Sequence, residues 1–265
     1  MLPVCFAASP GTVQLIDRDG DVVMRLDGHT RGVNAVAWTS DGSLLASASW
    51  DQTIRLWNGA GECVRILDGF DDSVESVEFA PRGDLLVASR DRTVSRIADP
   101  SGAAQRRTLA ILDCAPSRAS LSPDGRTVAV ATEGDSAVLL DAQSGERRDL
   151  AHPGTVYGLA WSPDGRLATA CEDGAARVFD AAGREIGQSE ASPARAVQVA
   201  WHPDGVHLAV GLRASGTVRL LGPDLHPALE LVNGKEVTVL AFAPQGDLLA
   251  VGSGRGDLTL FQLLP

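Results

Sequence analysis

Residues 27–58 read DGHTRGVNAVAWTSDGSLLASASWDQTIRLWN, and their pattern decides the fold. VNAVAW at 33–38 has the alternation of a half-buried strand. TSDG at 39–42 is a turn: the Asp side chain bonds back to the backbone, and Gly takes a positive φ. LLASAS at 44–49 is a second strand of small and aliphatic residues. A tight turn at 50–52 leads to a third strand, TIRLW at 53–57, and the more polar ECVRILDG at 62–69 supplies a fourth. Four short strands joined by tight turns make one antiparallel sheet.

The unit recurs. Its turn returns as APRG at 80–83, SPDG at 122–125 and 162–165, HPDG at 202–205 and APQG at 243–246. The closing glycines are 42, 83, 125, 165, 205 and 246, in steps of 40 to 42 residues. VESVEF, VYGLAW, AVQVAW and VTVLAF repeat the first strand; APSRASL at 115–121 is a degenerate copy. LLVAS, VAVAT, LATAC, LAVGL and LLAVGS repeat the second, and TVSRI, AVLL, ARVF, TVRLL and LTLF the third. A constant period of this length marks an architecture in which each copy buries its apolar face on the next. Such sheets set in a ring leave only short edges, so the expected fold class is all-β, a β-propeller.

The repeat resembles the WD40 family over essentially the whole chain. The copy at 27–58 carries Gly28–His29, Ser47, Ser49, Asp51 and Trp57–Asn58. The resemblance implies a hydrogen-bonded structural tetrad within one sheet, matched here by His29, Ser49 (or Ser47), Asp51 and Trp57. A buried network of this kind fixes one geometry when every member is satisfied. Other copies depart from the pattern. Gly69–Phe70 replaces Gly-His; Ala98–Asp99, Leu140–Asp141 and Phe179–Asp180 replace Trp-Asp; Leu221–Gly222 and Phe261–Gln262 lose the Asp. The tetrad is therefore expected complete in one copy.

Repeats are expected at about 1–28 (partial), 29–69, 70–110, 111–151, 152–191, 192–233 and 234–265 (partial), in one domain of residues 1–265. The partial first copy supplies three strands, the five full copies twenty and the partial last copy three, or twenty-six in all. Seven blades with the first and last incomplete are favoured over six. The short link at 17–21 ties the strand starting at Val22 into a hairpin with the strand before it, instead of completing the last blade.

The net charge of −11 and pI of about 4.8 argue against nucleic acid and against an anionic membrane surface as partner. Cys5, Cys63, Cys114 and Cys171 show no C-x-x-C pair and are expected to be free, mostly buried thiols. With no spanning apolar run, these features favour the cytoplasm.

Little in the chain has a catalytic pattern. His202 and His207 flank a turn without an evident carboxylate ligand, so no metal and no cofactor are expected. Arg-Gly-Asp at 82–84 and 255–257, and the glycine run at 252–256, fall in turns that the repeat already requires. The resemblance implies that partners dock on the end of the sheets bearing the loops before the first strand and between the second and third. The matching residues are Asn34, Trp50, Glu75, Arg90, Tyr157, Glu172, Arg195 and Thr238. Trp50 is the most informative, because Arg90 and Glu172 stand at its place in sibling copies and Trp is a frequent interface anchor. The expected function is a non-catalytic scaffold for a protein or peptide. The alternatives are an enzyme or a small-ligand or metal site at the mouth of a central channel, and a subunit whose ring an oligomer or partner chain completes.

Overall fold

A computed structural model describes residues 4–8, 11–17, 21–254 and 257–263, with the side chains of residues 4–8 set aside. Twenty-six strands are present among the described residues. They form seven sheets, five of four strands and two of three. The first holds β1 (Val4–Ala8), β2 (Thr12–Ile16) and β3 (Val22–Asp27). The second holds β4 (Val33–Trp38), β5 (Leu44–Ser49), β6 (Ile54–Asn58) and β7 (Cys63–Leu67). The third holds β8 (Val74–Phe79), β9 (Leu85–Ser89), β10 (Thr93–Ala98) and β11 (Gln105–Ile111). The fourth holds β12 (Pro116–Leu121), β13 (Thr127–Thr132), β14 (Ser136–Asp141) and β15 (Arg147–Ala151). The fifth holds β16 (Val156–Trp161), β17 (Leu167–Cys171), β18 (Ala176–Phe179) and β19 (Glu185–Gln188). The sixth holds β20 (Ala196–Trp201), β21 (Leu208–Leu212), β22 (Thr217–Leu221) and β23 (Pro227–Val232). The seventh holds β24 (Val237–Phe242), β25 (Leu248–Ser253) and β26 (Leu258–Gln262). The chain divides into two compact units, Met1–Leu121 with Ala142–Gly145, and Ser122–Asp141 with Glu146–Pro265.

Each sheet is a meander, and its turns work as their residues demand. The amide of Gly42 donates to Thr39 O at 2.9 Å, and Gly83, Gly125, Gly165, Gly205 and Gly246 repeat that bond. All six glycines have φ between 70° and 88°, a region closed to most side chains. Asp41 Oδ1 accepts the Ser43 amide at 3.0 Å. That backbone bond, with hydroxyl bonds from Thr39 and Ser43, pulls the Asp41 carboxyl down to about 2. β3 pairs with β2 from Thr12↔Asp27 to Ile16↔Val22, as the short link requires.

Burial falls off from the second strand outward. β9, β17 and β21 are buried at every residue, whereas the fourth strands β15, β19 and β23 are mostly exposed. The cores lie between neighbouring sheets. In the first unit, Ala46, Ala48, Ile54 and Leu56 meet Phe70, Val74, Val77 and Val87. In the second unit, Ala168 and Ala170 meet Ala196, Val199 and Trp201. Each fully buried Leu or Ile contributes about 1.5–3 kcal/mol. Small residues set the approach: a Cβ on Gly211 of β21 would stand 2.7 Å from Val237 Cγ1.

The degenerate copy still forms β12. Its amides reach side chains of β8: Ala119 N donates to Ser76 Oγ at 2.9 Å, and Leu121 N to Glu78 Oε1 at 3.2 Å. Burial pushes the Glu78 carboxyl up, against the bonds it accepts and the neighbouring Arg118. Among the cysteines, Cys171 is buried but Cys63 and Cys114 are exposed. That corrects the expectation of mostly buried thiols: Cys63 opens an outer fourth strand, and Cys114 lies in the loop between β11 and β12. The Cys5 side chain lies outside the described residues.

Candidate docking surface

The end of the sheets that carries Trp50 is built by two recurring devices. The first is a hairpin bond between the second-to-third strand turn and the residue before the first strand. Trp50 N donates to Gly32 O at 3.0 Å, Arg90 N to Ser73 O at 2.9 Å, Glu172 N to Thr155 O at 2.9 Å and Arg213 N to Arg195 O at 3.0 Å. The second is a β-bulge one residue into the first strand. The ladder skips Asn34, Glu75, Tyr157, Val197 and Thr238 in the second, third, fifth, sixth and seventh sheets. A bulge re-aims the side chain it leaves unpaired. Four of these five are residues expected at this end. In the sixth sheet the expectation was Arg195, but the bulge residue is Val197, which is buried. Arg195 sits one place before the strand, where Gly32, Ser73 and Thr155 sit in its siblings.

In the first unit, Asn34 Nδ2 donates to Val74 O at 3.1 Å and Glu75 Oε2 at 3.3 Å, and Ser73 Oγ donates to Glu75 Oε1 at 2.6 Å. These bonds hold two bulge side chains against each other. Trp50 is 53% exposed. Its ring lies over Gly32, where a Cβ would come within 3.0 Å of Cε3. In the second unit, Arg195 Nη2 pairs with Glu172 Oε1 at 2.9 Å, and Thr238 Oγ1 donates to Gly252 O at 3.1 Å. Tyr157 is half-buried. Arg213 and Glu236 form a further ion pair there.

The tetrad lies below this end of the second sheet, and its serine is Ser47. Trp57 Nε1–H donates to Ser47 Oγ at 2.8 Å, and Ser47 Oγ meets His29 Nε2 at 2.7 Å. His29 Nδ1 meets Asp51 Oδ2 at 2.8 Å. The indole can only donate and the carboxylate only accept, so the chain runs Trp57 to Ser47 to His29 to Asp51, with the His29 proton on Nδ1. Ser49 is one strand position pair away and serves the hairpin instead, donating to Gly32 O at 2.8 Å and accepting from Asp51 N at 3.0 Å. This corrects the choice of Ser49: residues 47 and 49 share a face, and only Ser47 stands level with the indole. Burial lowers the His29 pKa, against the Asp51 interaction. Burial opposes ionisation of Asp51, but bonds from Thr53, Thr30 and His29 outweigh it and hold the carboxyl at about 2.

A second histidine network was missed in the sequence. His152 Nε2 meets Thr169 Oγ1 at 2.9 Å, and His152 Nδ1 meets Leu150 O at 2.8 Å. The Phe179 ring stands in the Trp57 place, 5.6 Å from the imidazole. His152 lies four residues before Val156, as His29 lies four before Val33, and that spacing was the available signal. In the third sheet the pattern turns apolar, with Phe70, Val87 and Ile97 in one core. Arg106 covers Phe70 at 4.1 Å from the ring centroid and reaches Asp91 at 3.6 Å.

At the opposite end of the strands, one Arg-Gly-Asp triplet is absorbed by the turn: Asp84 pairs with Arg96 Nη2 at 2.6 Å. The triplet at 255–257 and the glycine run at 252–256 fall partly outside the described residues. The HPDG turn differs from its expected reading, because a carboxylate is at hand. His202, Asp204 and His207 bring one ligand atom each within 4.8 Å of one another.

The sequence matches the family described as IFT122 first beta-propeller over residues 4–262. The chain belongs to this WD40 β-propeller family. Over 56 residues it is 37% identical to the guanine nucleotide-binding protein subunit beta of the fission yeast Schizosaccharomyces pombe, a match covering 21% of this chain and 18% of that protein. WD40 propellers are generally protein-interaction scaffolds. The resemblance seen in the repeat is borne out, and so is the all-β propeller fold.

Proposed function

We propose that this WD40 propeller is a non-catalytic scaffold that binds a protein or peptide at the end of the sheets carrying the hairpin bonds and bulges. The observation that carries this reading is Trp50, a large aromatic 53% exposed on a hairpin whose place is held by Arg90, Glu172 and Arg213 in sibling sheets. Its ring rests on Gly32, so it is presented in a fixed pose. A rigid aromatic loses little entropy on docking, and Trp is enriched among residues that dominate interfaces. Arg90, on the equivalent hairpin of the next sheet, supplies a charge close in sequence register. The free thiols Cys63, Cys114 and Cys171 suit a reducing, cytoplasmic setting. The test is affinity capture from the native cell with the wild type, Trp50→Ala and Arg90→Glu, read by mass spectrometry. Specific partners are expected with the wild type and lost with Trp50→Ala at unchanged stability. An identical partner profile for all three overturns the reading.

A second reading rests on the first and seventh sheets having three strands each among the described residues. Another chain would then add strands to them. Sedimentation of the isolated protein checks this: a stable monomer with one cooperative melt counts against it.

A further inference from the structure

The turn that closes β20 onto β21 places two imidazoles around one carboxylate. His207 Nδ1 lies 2.6 Å and His202 Nδ1 3.0 Å from the same oxygen, Asp204 Oδ2. The carboxylate is itself held, because Oδ1 accepts the amides of Val206 at 2.7 Å and His207 at 3.1 Å. No sibling turn carries a histidine at either place: Thr39, Ala80, Ser122, Ser162 and Ala243 stand where His202 stands. Nothing in the repeat therefore calls for this pair.

The partners of His202 decide its proton. Nε2 faces Gly246 O at 3.1 Å, an acceptor that requires a proton on Nε2. Nδ1 faces the amide of Asp204 at 3.2 Å, a donor that requires a lone pair on Nδ1. Both contacts fit the neutral Nε2–H form, the form a histidine ligand binding through Nδ1 needs. Its Nδ1 lone pair then points at a carboxylate oxygen 3.0 Å away, and two electron-rich atoms at that spacing repel. A cation seated between them removes the repulsion. A ring nitrogen donating to a backbone carbonyl while the other faces the metal is the usual support of a histidine ligand. The Phe242 ring, edge-on at 5.1 Å, and Gly246, whose Cβ would collide with the imidazole, fix the ring further.

We infer that His202, Asp204 and His207 form a surface site for a divalent cation of the zinc class, with Nδ1, Oδ2 and Nδ1 as ligands. Two imidazoles and one carboxylate suit borderline ions such as Zn²⁺ in preference to Ca²⁺ or Mg²⁺, which take oxygen. Ligand bonds of about 2.0–2.2 Å in a tetrahedral arrangement put ligand atoms about 3.3 Å apart. From 3.0 and 2.6 Å, the His202–Asp204 and His207–Asp204 pairs open by about 0.3 and about 0.7 Å to reach that, and the exposed His207 is free to swing. Water takes the fourth position. The neighbouring Arg166 donates to Gly205 O, and its charge is matched by Asp164 at 2.9 Å, so it does not bar a cation.

The test is a titration of tag-free, full-length protein with Co²⁺, read by its visible absorbance, followed by displacement with Zn²⁺. The variants are His207→Ala and Asp204→Asn. Both positions lie on the surface of the turn, and a thermal melt of each confirms folding. The wild type is expected to take up one equivalent of Co²⁺ and release it to Zn²⁺, and each variant to bind at least about tenfold more weakly. Wild-type protein that takes up no metal overturns the assignment. Variants that bind as the wild type does also overturn it, and assign the metal to the exposed thiols.

Discussion

His29 and His152 hold the same place in two sheets and are satisfied differently. Both present Nε2 to a hydroxyl of the second strand, Ser47 at 2.7 Å and Thr169 at 2.9 Å. The other nitrogen divides them. His29 Nδ1 meets the Asp51 carboxylate, whereas His152 Nδ1 meets the backbone carbonyl of Leu150. Asp173, in the Asp51 place, has turned to Arg177 Nη2 at 2.6 Å. Trp57 adds a donor to its hydroxyl and Phe179 cannot. A buried imidazole therefore needs two partners but not particular ones, and a carbonyl two residues away substitutes for a carboxylate twenty-two away. The motif letters weaken while the satisfaction of each polar atom is kept.

The comparison is broken most forcefully at its aromatic member. Trp57→Ala empties a fully buried site and is expected to cost about 3–5 kcal/mol in chemical denaturation. Trp57→Phe converts this network toward the His152 form, and most of that loss is expected back. Removing the histidines should separate the two networks. His29→Ala leaves the Asp51 carboxylate short of a charge-assisted bond and is expected to cost about 3 kcal/mol or more, against about 1–3 kcal/mol for His152→Ala. Equal losses would show that Asp51 adds nothing beyond the carbonyl.

A pH series sharpens the same point. Burial lowers the pKa of both histidines below 6.5, so the unfolded chain binds their protons first as pH falls. Their contribution is full above 6.5 and is lost as pH drops through the lowered folded values. Denaturation midpoints should thus fall between pH 7.5 and 5, and His29→Gln should flatten the curve. Asp51, held at about 2 against an ordinary 3.8, adds a second loss only below that range. The smallest expected effect is that of Trp50→Ala, within about 0.5 kcal/mol of wild-type stability, because the exposed ring fills no core.

Much of this is legible in the amino-acid sequence. The period, the turns, the twenty-six strands and the pairing of β3 with β2 follow from residue type and spacing. The bulge positions at Asn34, Glu75, Tyr157 and Thr238 were recoverable from alignment of the copies. Val197 holds the same second place of AVQVAW and is equally recoverable, whereas Arg195 stands one place before the strand and does not align with the other four. Ser47 and Ser49 were indistinguishable, since a period of two places both on one face.

The amino-acid sequence by itself determined the repeat, the turn chemistry and the order of strands, because these depend on residues close along the chain. The tertiary structure decided which polar atoms meet. It chose Ser47 over Ser49, gave His152 a carbonyl in place of a carboxylate, exposed Cys63 and Cys114, and drew His202 and His207 onto one oxygen of Asp204. Hydrogen bonds and ligand sets are won within a few tenths of an ångström, and spacing along a sequence does not carry that resolution.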